Sequence, residues 1–452
     1  MSKQFRPWNP DQAFLFPPAP RDWLPENHLV YFLLDVLPQM NLQPILQPYQ
    51  AEDRGQPPYH PTMLTTVLLY GYATGTFSSR RLMARCETDV AYRIIVGDDI
   101  PDFRTISDFR KRHLPALEGL FVDVLKLCAE AGLAKVGRIA LDGSKVKANA
   151  SRHKAMSYDY MLKEEQRLQK EVKALLAQAE ATDQAEDQKQ GRDRRGDELP
   201  KELARRQSRL QKIQEAKASL EADAREQART AEAERQQQGK PSSGQDPEQA
   251  KPEPKAQYNF TDPESQIMKV SNKGWDQCGN AQVAVNEHQI IVAADVTDEA
   301  NDKQQVQPMV EQMQQNVAAA GVTEKVQEML ADSGFYSEAN VDYLKGAGID
   351  PYIATERLKH HEQRAAPRGR CPKGLTAKQR MARKLRTKQG RERYARRKGM
   401  VEPVFGQIKQ GRGFRQFSLR GLKKMRAEWR LVSLTHNLLK LWRHEQSQGQ
   451  QK

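Results

Sequence analysis

From residue 155 to residue 224 the chain is dominated by Glu, Lys, Gln, Arg and Ala, and from 226 to 256 apolar residues are too few to pack. Any sheet must therefore be assembled from segments on both sides of a long insertion. Within the insertion Met161, Leu168 and Leu175 hold one heptad register and Leu203, Leu210, Ile213 and Leu220 a second. The intervening GRDRRGDELP cannot continue a helix smoothly, so two antiparallel helices are expected: a hairpin arm over 155–225, then a flexible linker over 226–256. A hydrophobic share of 38% agrees, being enough to fill a core in only part of the length.

On the N-terminal side, residues 1–132 read as a set of short helices. Pro61 suits a first turn at PTMLTTVLLYGYATG and Gly75 its exit. SSRRLMARC and TDVAYRIIVG begin with residues able to cap orphan amides, and Gly97 closes the second. TISDFRKRH is expected to start at Thr105, with Asp108 three residues on. Leu117, Leu120, Phe121, Val124, Leu125 and Cys128 recur at helical spacing until Gly132. Arg80, Arg81, Arg93, Arg104, Arg110, Lys111 and Arg112 on these helices suit either a DNA surface or a plain solvated face.

The pattern then turns to alternating α and β. VGRIALDGSKVKANAS predicts a strand ending at Leu141-Asp142, in a first sheet segment spanning 133–154. After the insertion, 257–452 resumes with AQVAV and QIIVAADV flanking a short Asn286-Glu287-His288 connection, a hairpin signal. Val306, Met309, Val310, Met313 and Val317 mark a covering helix, and EMLADSGFYSEANVDYLKGAGIDPYIA adds strand, helix and strand, with Asp332 ending the first. A basic connector from Glu356 to Gln389 leads to a helix from Arg391 to Lys409, and a last helix turns Leu431, Leu434, Leu438 and Leu441 inward. The fold class is α/β, a mixed sheet flanked by helices, with an N-terminal all-α part and an inserted arm.

Charge is distributed unevenly. Beyond Asp350 stand 28 of the 72 Lys and Arg against 6 of the 58 acids, so the rest of the chain is net acidic although the whole carries +14. A field of that sign at one end suits a polyanion. Cys86, Cys128, Cys278 and Cys371 lie at no zinc spacing and read as thiols of a reducing compartment, and His360-His361, without ligand partners, reads as solvent-facing. The start has no apolar run of signal length and VYFLLDVL is too short to span a bilayer, so a cytoplasmic chain without membrane contact is expected.

Phosphodiester chemistry needs an activated water or hydroxyl and stabilisation of an in-line pentacovalent charge, which two metal ions held by a few carboxylates supply. Asp142 and Asp332 fit because each follows an apolar strand and precedes Gly or Ser-Gly. Asp295 and Asp302 compete for the second place, although Asn301-Asp302 reads more simply as a helix cap. The third acid is expected in the basic C-terminal part. There Glu402 and Lys409 lie seven residues apart on one helical face, Tyr394 and Lys398 continue that stripe, and Pro403 suits a helix start at Glu402.

Several blocks, among them ALDGSKVKANAS, NFTDPESQIMK, AADVTDEANDKQQVQPM, LADSGFYSE and VEPVFGQIK, resemble the DDE transposases of bacterial insertion sequences, in the subgroup with an N-terminal helical domain. The resemblance covers nearly all of the chain except the arm. It implies an RNase H-like catalytic domain with Asp142, Asp332 and Glu402 as first, second and third acid. It also implies two Mg²⁺ ions, with Mn²⁺ able to substitute, Asp142 bridging them and each other acid holding one. The implied reaction is cleavage of double-stranded DNA at element ends and transfer of the freed 3′-hydroxyl to target DNA, by a homodimer. The usual C-terminal signature, Tyr-x2-Arg-x3-Glu-x6-Lys, is approximated by Tyr394, Arg397, Glu402 and Lys409 with one extra residue before Glu, leaving open whether Arg397 or Lys398 faces phosphate. Arg412 and Arg415 complete the expected DNA-binding set. A chain that only binds DNA, or a metal-dependent nuclease without strand transfer, are the alternatives.

Overall fold

A computed structural model of the chain describes residues 19–50, 57–190, 201–237, 241, 242, 244–270, 274–356, 365–372 and 374–449. The start of the chain to residue 18, the GRDRRGDELP break and His360-His361 lie outside the described residues. In chain order come α1 (Leu29–Val36), α2 (Gln43–Gln50), α3 (Pro61–Thr74), α4 (Ser79–Thr88), α5 (Val90–Val96), α6 (Phe103–Arg112), α7 (Leu114–Glu130), β1 (Arg138–Lys147) and β2 (Ala155–Ser157). Then follow α8 (Tyr158–Gln190), α9 (Lys201–Gln237), β3 (Gln257–Asn259), β4 (Gln266–Lys269), β5 (Trp275–Asn286), β6 (Ile291–Thr297) and α10 (Val306–Ala319). The chain continues with β7 (Glu328–Ala331), α11 (Glu338–Gly346), β8 (Asp350–Ile353), α12 (Ala377–Arg386), α13 (Lys388–Gly406) and α14 (Leu422–Gly449).

These elements form two compact units, Met1–Lys147 with Gly279–Lys452, and Ala148–Cys278. The N-terminal helices thus share a unit with the sheet rather than standing apart over 1–132. The reason is α14, whose Leu431, Leu434, Leu438 and Leu441 are buried as their spacing predicts, and which packs against α3, α7 and β6 together.

The strand order in this unit is β6-β5-β1-β7-β8. β1, β7 and β8 run parallel, with Leu141 opposite Ala331 and Ala331 opposite Ile353, while β5 and β6 are antiparallel. Ile139, Leu141, Val283, Val292, Met329 and Leu330 are buried, as expected of strands covered on both faces. The outer edge of β6 is satisfied by side chains: Asn437 on α14 brackets the amide and carbonyl of Ile291, and Gln312 and Asn316 on α10 take the amide of Ala294 and the carbonyl of Val292. At the end of α3, Gly75 has φ +85°, and a Cβ there would stand 2.6 Å from the carbonyl oxygen of Arg412.

Several boundaries differ from the sequence reading. β1 does not end at Asp142 but runs on to Lys147, whose amide and carbonyl pair with Arg415 and Phe417. α6 is capped by Asp102 rather than Thr105, the carboxylate accepting from the Arg104 amide at 2.7 Å. The connector contains α12, opened by a capping box between Thr376 and Gln379. α13 passes through Pro403 instead of restarting there. The Gly399 carbonyl, which Pro403 cannot serve, accepts from Gln289 Nε2 at 2.9 Å.

In the second unit α8 and α9 pair antiparallel, as the ion pairs Glu165–Lys217 and Glu171–Arg206 require, around buried Met161, Leu168, Ile213 and Ala216. β2 pairs with β3, and β4 with the first residues of β5. The expected flexible linker is largely ordered: α9 continues to Gln237 through good helix formers, and a 3-10 turn at Pro247–Gln249 meets it through Glu248 and Arg229. Among the described residues no single helix is long and apolar enough to cross a membrane. The bent pair Leu29–Gln39 and Gln43–Gln50 passes that test only by length and composition, and α1 buries most of its apolar residues.

Candidate active site

Asp142 occupies β1 one residue past Leu141, and Asp332 follows β7 one residue past Ala331, so the parallel register sets the two acids side by side. Adjacent strands lie about 4.8 Å apart, which is carboxylate-pair distance. The Asp332 carboxylate accepts from the Gly334 amide at 2.8 Å and caps the following 3-10 turn. Asp142 accepts from the Gly143 amide at 2.9 Å through one oxygen and from Arg397 Nη1 at 3.0 Å through the other. Burial holds the Asp142 carboxyl up at about 6, Asp332 adding to that rise and Arg397 opposing it.

Arg397 arrives from α13, which crosses β1 and β7. Tyr394, one turn earlier, faces the same acids, and burial raises its phenol. The two candidates left by the extra residue have different places: Arg397 meets Asp142, and Lys398 is exposed. Lys409 lies in a π-helical turn, Gln407–Gly411, where its ammonium donates to Ser144 Oγ and, at 2.8 Å, to the carbonyl of Lys145. It therefore anchors β1 beside Asp142.

Glu402 lies on an exposed part of α13. Among the described residues no group of three or more His, Cys, Asp or Glu could hold a metal ion, so the structure joins Asp142 to Asp332 but does not bring Glu402 into a ligand cluster with them. The pair itself fits a hard divalent cation, because both groups offer carboxylate oxygens and their repulsion at partly buried positions is what a cation relieves.

Two arginines from the sequence reading have a different place. Arg412 is interior, donating to Val432 O at 3.0 Å and Thr435 Oγ1 at 2.8 Å, with its guanidinium lowered to about 9 by burial. Arg110 is also buried, bonded to Tyr72, whose hydroxyl in turn donates to the buried Glu428 carboxylate. Arg415 is exposed, as are Arg80, Arg81, Arg104, Lys111 and Arg112.

Asp302 was underrated by its sequence context. It precedes a 3-10 turn without capping it, and instead accepts from Asn280 Nδ2 at 2.6 Å and Gln282 Nε2 at 2.7 Å. The signal was present in GNAQVAV, where two carboxamides alternate with apolar residues on a buried strand and so share one face. Asp295, the other rival, pairs with Arg426 at 3.2 Å.

Residues 244–438 match the family described as Transposase DDE domain, and residues 19–112 match Transposase domain (DUF772). The chain belongs to the DDE transposases of insertion sequences. Its mixed α/β architecture is the RNase H-like one of that family. The two matches flank the strand carrying Asp142, and the second contains Asp332, Glu402 and the helices that cover the sheet. No curated protein and no solved structure matches the chain.

Proposed function

We propose that the chain moves an insertion sequence by cutting double-stranded DNA at the element ends and joining each freed 3′-hydroxyl to target DNA. The observation that carries this reading is the placement of Asp142 and Asp332 on neighbouring parallel strands beneath a cationic helix. Asp142 and Asp332 would hold Mg²⁺, or Mn²⁺ in its place, with Glu402 as third acid on the strength of the sequence signature. Two such ions supply an activated water or hydroxyl and stabilise the charge in line with the leaving oxygen. Arg397 neutralises Asp142 and, with Tyr394, fixes the approach of α13 to the acids. Exposed Lys398 and Arg415 contact the phosphate backbone, which positions DNA without reading its sequence. Joining two ends calls for a homodimer on DNA, acting in the cytoplasm.

The test is supercoiled plasmid bearing the element ends, incubated with the chain and Mg²⁺ or Mn²⁺. Cut and joined products are expected, and D142A, D332A and E402A are expected to lose both while still binding DNA. Cleavage without joining makes the chain a nuclease. Binding without cleavage makes it a DNA-binding protein. An active E402A removes Glu402 from the site.

A further inference from the structure

Asp302 is held more tightly than a surface turn requires. Its Oδ1 takes two carboxamide donors, from Asn280 and Gln282, and both of those residues are wholly buried on β5. Among the described residues Asn280 Oδ1 and Gln282 Oε1 have no hydrogen-bond partner, so each carboxamide is oriented by its nitrogen side. Lys145 Nζ stands 3.6 Å from the same carboxylate oxygen. Burying two amides to fix one carboxylate is costly unless the position of that carboxylate matters.

What the carboxylate touches gives the reason. A Cβ on Gly143, the residue after Asp142, would meet the Gln282 carboxamide first and would lie 2.8 Å from Asp302 Oδ1. A Cβ on Gly334, two residues after Asp332, would lie 3.1 Å from Asp302 Oδ2 and 3.0 Å from Asp332 Oδ1. Neither glycine has a positive φ, so the requirement at both positions is space rather than backbone freedom. The Asp302 carboxylate is wedged between β1 just past Asp142 and the turn that follows Asp332, and these two segments supply the amides of Gly143 and Gly334 that orient Asp142 and Asp332.

We infer that Asp302 is a positioning residue: it sets the spacing of the Asp142 and Asp332 carboxylates, and hence their affinity for a divalent ion, without binding the ion itself. This rests on the metal-dependent reading proposed above. Groups of this kind, one shell out from the ligands, change metal affinity by about 10- to 100-fold when altered.

The experiment measures Mn²⁺ binding to the full chain by titration calorimetry, with DNA cleavage at increasing Mn²⁺ as a second readout. D302N, which keeps the shape and loses the charge, is expected to bind Mn²⁺ about tenfold more weakly and to recover cleavage as Mn²⁺ is raised. G334A, which presses a methyl against the same carboxylate, is expected to weaken binding in the same direction, and the double variant G334A/D302S to regain part of the loss. Equal Mn²⁺ binding by D302N and the unaltered chain overturns the role of Asp302 and leaves the metal reading intact. Failure of the unaltered chain to bind Mn²⁺ overturns the metal reading itself. Should D302N fail to fold, a folded G334A decides: weakened binding supports the inference and unchanged binding overturns it.

Discussion

Asp142 keeps its charge where burial opposes it, and that opposition has a measurable consequence. Its folded pKa of about 6 lies above the ordinary 3.8, so between those values the folded chain holds a proton that the unfolded chain releases. Stability from this group is therefore full below about 3.8 and lost as pH rises through about 6. D142N, which cannot ionise, is expected to unfold at higher urea than the unaltered chain at pH 7.5 in the absence of metal, by about 1–3 kcal/mol, with the gain fading toward pH 4. Equal midpoints at both pH values would show that Arg397 fully compensates the charge. The neighbouring places of Asp142 and Asp332 were legible because each follows an apolar strand segment, although β1 runs on past Asp142. Arg412 and Asp302 were not, since a charge does not announce which way it faces and an Asn-Asp pair before a helix looks like a cap whether or not it serves as one.

The hairpin between β5 and β6 shows the same limit among elements. Its two strands are plain from their alternation, but the role of the turn depends on residues far off in sequence. Gln289, at φ +62°, accepts from His436 Nε2 through its carbonyl at 2.9 Å and donates from its side chain to the Gly399 carbonyl freed by Pro403. One turn thus ties α13, which delivers Arg397, to α14. Burial, reinforced by the neighbouring charge of Arg412, lowers His436 to about 3, so it is neutral in the folded chain. The unfolded chain takes up a proton below about 6.5, which the folded one refuses until about 3. Stability contributed by neutral His436 is present above about 6.5 and falls by about 1.4 kcal/mol for each pH unit below it. Urea midpoints of the unaltered chain are expected to drop between pH 7 and pH 5 by more than those of H436Q. Parallel profiles would place the histidine in water. α12 escaped the sequence reading for a related reason: its apolar stripe is only Ala377, Met381 and Leu385 among six Lys, Arg and Gln, and Met381 alone of them is buried.

Across the whole chain, the polar insertion was recognisable because nothing in it could fill a shared core, whereas the union of the N-terminal helices with the sheet depends on α14, which closes both from the far end of the sequence. The excess of cations beyond Asp350 was equally plain, but its sum conceals two kinds of arginine. Exposed ones add to a field that draws in DNA and releases condensed counterions on contact. Buried ones hold helices together. Arg415 and Arg412, three residues apart, separate the two cases: the first is exposed and the second lies inside against Val432 and Thr435. R415A is expected to weaken binding to any duplex alike and to lower the slope of log affinity against log salt by about 0.9, while its urea midpoint stays put. R412A is expected to lower the unfolding free energy by about 3 kcal/mol, the scale for emptying a buried site and breaking its hydrogen bonds, and to leave the salt slope of the folded fraction unchanged. A salt slope that falls in R412A and not in R415A would mean that the interior arginine is the one DNA reaches, and that the covering of the sheet by α14 opens when the chain binds.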